Sequence, residues 1–221
     1  MLKKLTEDQH ALIIEKATCE FAEKGYKGAG LSTIARNAGV SVGVIYKYYA
    51  DKEELFGACI RKSIDYLDEA LRQASGKGSK PGAGGEGRSL PEMIRALVSQ
   101  TQVACREHPE YFRMYHQITT GDDALQAKQL AEIIERPSAK AYKNAIRKAR
   151  DEGLIDRQLD AGAGAFFFDN LMMMFHYAYS CTYYAERMDI YCGKKLASSE
   201  KKMADQMVRF ILNGLGYQGE Y

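Results

Sequence analysis

Proline is scarce in this chain, with 4 residues among 221. Few runs alternate apolar and polar residues, and most of the chain repeats its apolar positions every three or four residues, so an all-α protein is expected. None of the 5 cysteines pairs with another at CxxC spacing, and their number is odd. Cys19, Cys59, Cys105, Cys181 and Cys192 are therefore expected as free thiols in a reducing cytoplasm. The opening residues, MLKKLTEDQH, lack the apolar stretch of a secretory signal. Phosphate loop, GxSxG, HExxH and dinucleotide glycine fingerprint are all missing, which argues against an enzyme. The best acid–base pair on offer, Asp169 and His176, lies seven residues apart on one helix, two turns away and out of direct reach. The four histidines, His10, His108, His116 and His176, show no metal-ligand spacing, and neither metal nor cofactor is expected. The most apolar stretch, Ala165 to Tyr184, is interrupted by Asp169, Asn170 and His176, so a buried core helix is expected and no membrane span. A surplus of positive charge is absent too. With 31 Lys and Arg against 29 Asp and Glu the net charge is +2, so contact with nucleic acid must come from a local patch.

Such a patch is legible between Leu31 and Leu55, LSTIARNAGVSVGVIYKYYADKEEL. Ile34 and Ala35 give a first short helix its buried face. Gly39 can take the left-handed conformation that ends it. Ser41 stands where a side chain would cap the next helix, Val42 to about Tyr49, which carries Tyr46, Lys47, Tyr48 and Tyr49. Asp51 with Glu54 three residues on has capping-box spacing for a further helix. Two short helices about a glycine turn form the helix-turn-helix layout that enters a DNA major groove.

Around this stretch the chain reads as helices. Thr6-Glu7-Asp8-Gln9 opens a helix with Ile13, Ala17 and Phe21 buried and Gly25 as its stop. A long helix from Lys52 to about Ala74 carries Ile60, Ile64, Leu67 and Leu71. Ser75 to Pro91 holds six glycines and predicts a flexible loop. Helices resume at Pro91, break at His108-Pro109, restart behind a cap at Thr120 to Asp123, pass Leu130, break again at Arg136-Pro137 and stop at Gly153. The apolar helix is expected from Ala165 to about Met188, and a last helix from about Ser198 to Asn213. Both have apolar surface to spare, which predicts a homodimer through a helical bundle. The expected organisation is a helix-turn-helix domain over 1–50, a connecting helix over 51–75, a loop over 76–90, and a helical ligand-binding and dimerisation domain over 91–221.

Ala22-Glu23-Lys24-Gly25-Tyr26, Ile34-Ala35, Ala38-Gly39-Val40-Ser41, Ile45-Tyr46 and Asp51-Lys52-Glu53-Glu54-Leu55, in this order, resemble the N-terminal domain of the TetR family of transcriptional regulators. The resemblance covers about residues 10 to 57. It implies an N-terminal three-helix DNA-binding domain, a larger C-terminal helical bundle, and a homodimeric repressor on double-stranded DNA. The helix from Ser41 to Tyr49, with Val42, Gly43 and Val44, would enter the major groove. Tyr46 and Tyr48 match positions that touch phosphate or bases, Lys47 a basic position, and Lys52 a phosphate contact at a helix N-terminus. Thr33 and Arg36 would reach the backbone, while Ile45 and Tyr49 match inward-packed positions. Between Gly30 and Lys52 the charge is Arg36, Lys47 and Lys52 against Asp51, net +2, so few phosphate contacts are expected.

The resemblance also implies a small-molecule effector in the C-terminal half that shifts the connecting helix and the spacing of the two reading heads. Phe168, Met172, Phe175 and Tyr179, with the polar Asp169 and His176, supply an apolar lining with a few polar groups, and Phe112, Tyr115, His116 and Tyr142 would complete the walls. A lipophilic or aromatic ligand fits such a lining. The alternatives are a DNA-binding protein without an effector, and a bundle used for docking another protein.

Overall fold

The computed structural model describes residues 6–74, 89–119 and 124–220. Among them are eleven helices and no strand: α1 Glu7–Gly28, α2 Leu31–Asn37, α3 Val42–Tyr48, α4 Lys52–Ala74, α5 Leu90–Glu107, α6 Pro109–Thr119, α7 Ala124–Asp151, α8 Ala161–Ser180, α9 Thr182–Cys192, α10 Lys194–Ala197 and α11 Glu200–Gly214. The glycine-rich stretch, the cap at Thr120 to Asp123 and the side chains of Leu67, Leu71 and Leu130 lie outside the described residues.

The chain forms two compact units. One contains Met1–Tyr66 and Glu110–Asp123, and the other Leu67–Pro109 and Ala124–Tyr221. This division differs from the one drawn on the sequence, because α6 joins the first unit rather than the second. The reason is packing at a distance along the chain, which no local pattern encodes.

In the first unit α1 begins at a full capping box, Thr6 Oγ1 accepting from Gln9 N at 3.2 Å and Gln9 Oε1 from Thr6 N at 3.1 Å. Ile13, Ala17 and Phe21 are fully buried on its inner stripe. The helix breaks at Gly25, where φ is 71° and ψ 169°. Such a break leaves carbonyls of the preceding turn in need of donors. Gln117 of α6 supplies one, its Nε2 donating to Ala22 O at 2.8 Å. Met114 of α6 is fully buried in the same core as Phe21, Ile34, Ile45 and Leu55. The rings of Tyr111 and Tyr66 lie 4.8 Å apart.

The second unit packs α5, α7, α8 and α11 around Val98, Ile155, Val208 and Leu212. Arg106 grips Glu200 through both carboxylate oxygens at 2.9 and 3.1 Å, and Arg95 pairs with Asp205, tying α5 to α11 twice. Two expectations are corrected here. Pro137 does not interrupt its helix, for α7 runs unbroken from Ala124 to Asp151. Ile134, Ile146 and Ala149 stay in helical register on either side of it and are all buried, so packing offsets the one lost backbone bond. The apolar helix, conversely, ends early. Cys181 is extended (φ −126°, ψ 126°) and separates α8 from α9. Just before it, Ser180 Oγ and Cys105 Sγ both donate to His176 O, at 3.0 and 3.6 Å, and such competition for a helix carbonyl favours a bend. Among the described residues no helix is long and apolar enough to cross a membrane, and no three His, Cys, Asp or Glu side chains gather as a metal site.

Candidate nucleic-acid interface and effector-site residues

The turn before α3 uses Gly39 at φ 67°, in the left-handed region, with Val40 N donating back to Ala35 O at 2.9 Å. Ser41 then stands at the N-cap with extended dihedrals, but its side chain makes no capping bond, contrary to expectation. Its backbone carbonyl accepts from Val44 N at 3.0 Å instead. At the other end Tyr49 closes α3, its N–H donating to Ile45 O. Beyond it Asp51 Oδ1 accepts from Glu54 N at 2.8 Å and Glu54 Oε2 from Ala50 N at 2.6 Å, so this cap forms with its return bond one residue further out than a capping box.

Burial divides the α3 residues cleanly. Ile45 and Tyr49 are buried, and Val42, Val44 and Tyr48 pack partly against the same core. Gly43, Tyr46 and Lys47 are exposed, at i, i+3 and i+4, which is one helix face, and Ala50 is exposed just past the helix end. Ser41 and Arg36 are exposed near it and Thr33 is half-buried on α2. The valines thus serve mainly as supports. Lys52 lies at the start of α4, where its ammonium is 5.1 Å from the Tyr26 ring centroid and 3.4 Å from Lys27 O. Tyr26 in turn contacts Phe21 and Phe56. Neither Tyr26 nor Lys27 was expected beside Lys52, because only the turn at Gly25 brings them there.

The ten side chains expected around an effector fall into both units. Phe112, Tyr115 and His116 are on the part of α6 that belongs to the first, with Phe112 and Tyr115 buried there. The other seven are in the second. Phe168, Met172 and Phe175 are buried in its core. Tyr142 meets Phe168 edge-on at 4.8 Å, and Phe175 meets Tyr179 at 5.1 Å. The Tyr179 hydroxyl accepts from Gln102 Nε2 at 2.8 Å, and the same amide group donates to Glu200 O at 2.9 Å. Gln102 is buried, and nothing in the local pattern of α5 marked it. Asn170 spends its amide on Phe166 O at 2.7 Å, on its own helix.

Asp169 is the titrating group of this region. Burial, then the Glu135 carboxylate on α7, push it up to about 6. The folded unit therefore binds its proton more tightly than the unfolded chain does, and stability from this group is present at low pH and lost as pH rises through about 6. Asp169→Asn is expected to stabilise the second unit by about 1–2 kcal/mol at pH 7.5, allowing for partial exposure, and to change nothing at pH 4. Thermal unfolding at the two pH values measures this.

Residues 13–59 match the family profile described as bacterial regulatory proteins, tetR family. The transcriptional regulator HbdR of Aromatoleum sp. (strain CIB) is 39% identical over 74 residues, which is 33% of this chain and 32% of that protein. The chain thus spans about a third of the length of the curated relatives it matches. Solved structures extend the likeness of fold to nearly the whole chain. A TetR family transcriptional regulator from Chloroflexus aurantiacus superimposes with a TM-score of 0.69 at 19% identity, covering 97% of this chain and 96% of that one. AibR, solved in complex with isovaleryl coenzyme A and operator DNA, does so with a TM-score of 0.64 at 20% identity, covering 91% and 97%. Residues 13–59 thus carry the helix-turn-helix pattern that the profile of bacterial regulatory proteins, tetR family, describes.

Proposed function

We propose that the protein is a ligand-responsive repressor that binds a palindromic operator as a homodimer and leaves it when a lipophilic or aromatic small molecule binds the second unit. The observation that carries the DNA reading is the single exposed face of α3, with Tyr46 and Lys47 at its centre and the valines turned toward the core. Tyr46 offers a hydroxyl and a ring, and Lys47 a phosphate contact, with Thr33, Arg36, Ser41, Gly43, Tyr48 and Lys52 around them. Dimerisation is supported by bare apolar surface on the second unit, where Phe166, Phe167, Met174 and Phe210 are 65%, 62%, 40% and 63% exposed. The effector reading is supported by the aromatic contacts of Tyr142, Phe168, Phe175 and Tyr179 around Asp169, and by a neighbour of the same fold that holds both an acyl coenzyme A and operator DNA.

The test is a gel shift on the DNA flanking the protein's own gene, followed by a panel of lipophilic compounds. Wild type should shift the DNA and a compound should reverse it. Tyr46→Ala with Lys47→Ala should weaken binding at least about tenfold without unfolding the protein. Equal binding by wild type and the double variant would sink the reading. With a local charge of +2 between Gly30 and Lys52, log K should fall with log salt less steeply than for a strongly basic binder.

A further inference from the structure

α3 has seven residues, about two turns, and a helix this short does not hold its shape alone. Its N-cap side chain makes no capping bond, so beyond the packing of Val42, Val44 and Ile45 its position depends on what grips the other end. There Tyr49 buries its ring in the core of the first unit. Its hydroxyl meets Nε2 of His10 at 2.8 Å. Burial pushes this hydroxyl up to about 12, so it stays protonated and can either donate to the ring nitrogen or accept from it. The His10 ring also stacks on Tyr49, with centroids 5.8 Å apart and planes at 24°, and turns its edge to Tyr48 at 6.0 Å and 64°. Lys47 Nζ lies 5.7 Å from the centroid of the same Tyr48 ring. One imidazole therefore touches both tyrosines that end the reading helix.

His10 stands on a firm base. It follows the Thr6–Gln9 capping box, and its own N–H donates to Thr6 O at 3.0 Å. It is itself exposed, so removing it opens no cavity. Its contribution is direction rather than packing. We infer that His10 is a positioning residue for DNA binding, a latch from the first turns of α1 that fixes the C-terminal end of α3 and with it the orientation of Tyr48 and Lys47. This rests on α3 being the DNA-reading helix.

The latch is read first in the free protein. His10→Ala should speed amide hydrogen exchange at residues 46–50 about fivefold, the loss of roughly one hydrogen bond, with residues 33–38 unchanged. His10→Gln, whose amide oxygen can accept from Tyr49, should restore the wild-type rate. In a Tyr49→Phe background His10→Ala should add little. On the DNA flanking the protein's own gene, His10→Ala should bind about five- to tenfold more weakly and His10→Gln nearly as well as wild type. Unchanged exchange at 46–50 in His10→Ala overturns the latch, and so does an equal rise across α1 to α3 that glutamine fails to reverse. Failure of the wild type to bind that DNA would count against the DNA reading, while the exchange measurement would still decide the latch.

Discussion

Truncating Met114 to alanine is expected to cost the first unit about 2–5 kcal/mol, the range for a fully buried large side chain cut to a methyl. Met114 is fully buried in one core with Phe21, Ile34, Ile45 and Leu55, although α5 stands between α4 and its own helix in the chain. Its thioether packs into that core, and alanine would leave its space empty. A domain this small has only about 5–15 kcal/mol in all, so the loss should show as a lower denaturation midpoint and faster exchange across α1 to α3. The same reasoning makes a fragment ending after α4 unstable, since it lacks both Met114 and the Gln117 bond to Ala22. Exchange in α1 to α3 that matches wild type in Met114→Ala would show that α6 is not part of this core.

The second large effect concerns the proposed homodimer. Phe166→Glu with Phe167→Glu should convert a species of twice the 24.8 kDa chain mass into one of chain mass at micromolar concentration. Covering a phenylalanine buries roughly 150–250 Å2. At about 25 cal/mol per Å2, even half of that area contributes about 2–3 kcal/mol per ring. In a two-fold interface each substitution counts twice. Placing a carboxylate there adds a desolvation cost on top of the lost contact. Sedimentation measures the outcome, and binding to a two-half-site operator should fall with it, while the helical circular-dichroism spectrum stays unchanged because both rings are exposed in the single chain. A double variant that remains a dimer would place the interface elsewhere.

Much of the fold was legible because its signals are local. Thr6 and Gln9, Gly25, Gly39, and Asp51 with Glu54 each act on backbone groups within four residues, and each shapes the chain where the sequence said it would. Ser41 failed as a cap although its position was right, because a suitable residue type does not guarantee the side-chain bond. Pro137 misled because its cost is local and its compensation, the burial of Ile134 and Ile146, is not. The break at Cys181 and the transfer of α6 to the first unit depend on partners 71 and 95 residues away, Cys105 with His176 and Gln117 with Ala22. The reading face was legible in outline. That its valines lean inward, and that His10 reaches Tyr49 across 39 residues, needed the folded chain.

The division of labour within α3 also sets how the proposed reading helix can change its target. Gly43, Tyr46 and Lys47 face outward and lie outside the core, so they can be exchanged with little risk to folding. Val42, Val44, Ile45 and Tyr49 are tied to the core and cannot be altered as freely. A lineage, or a designer, seeking a new operator therefore has a three-letter alphabet to rewrite, one letter of which is the blank Gly43. That blank is where a base contact can be gained without giving up the ones already there.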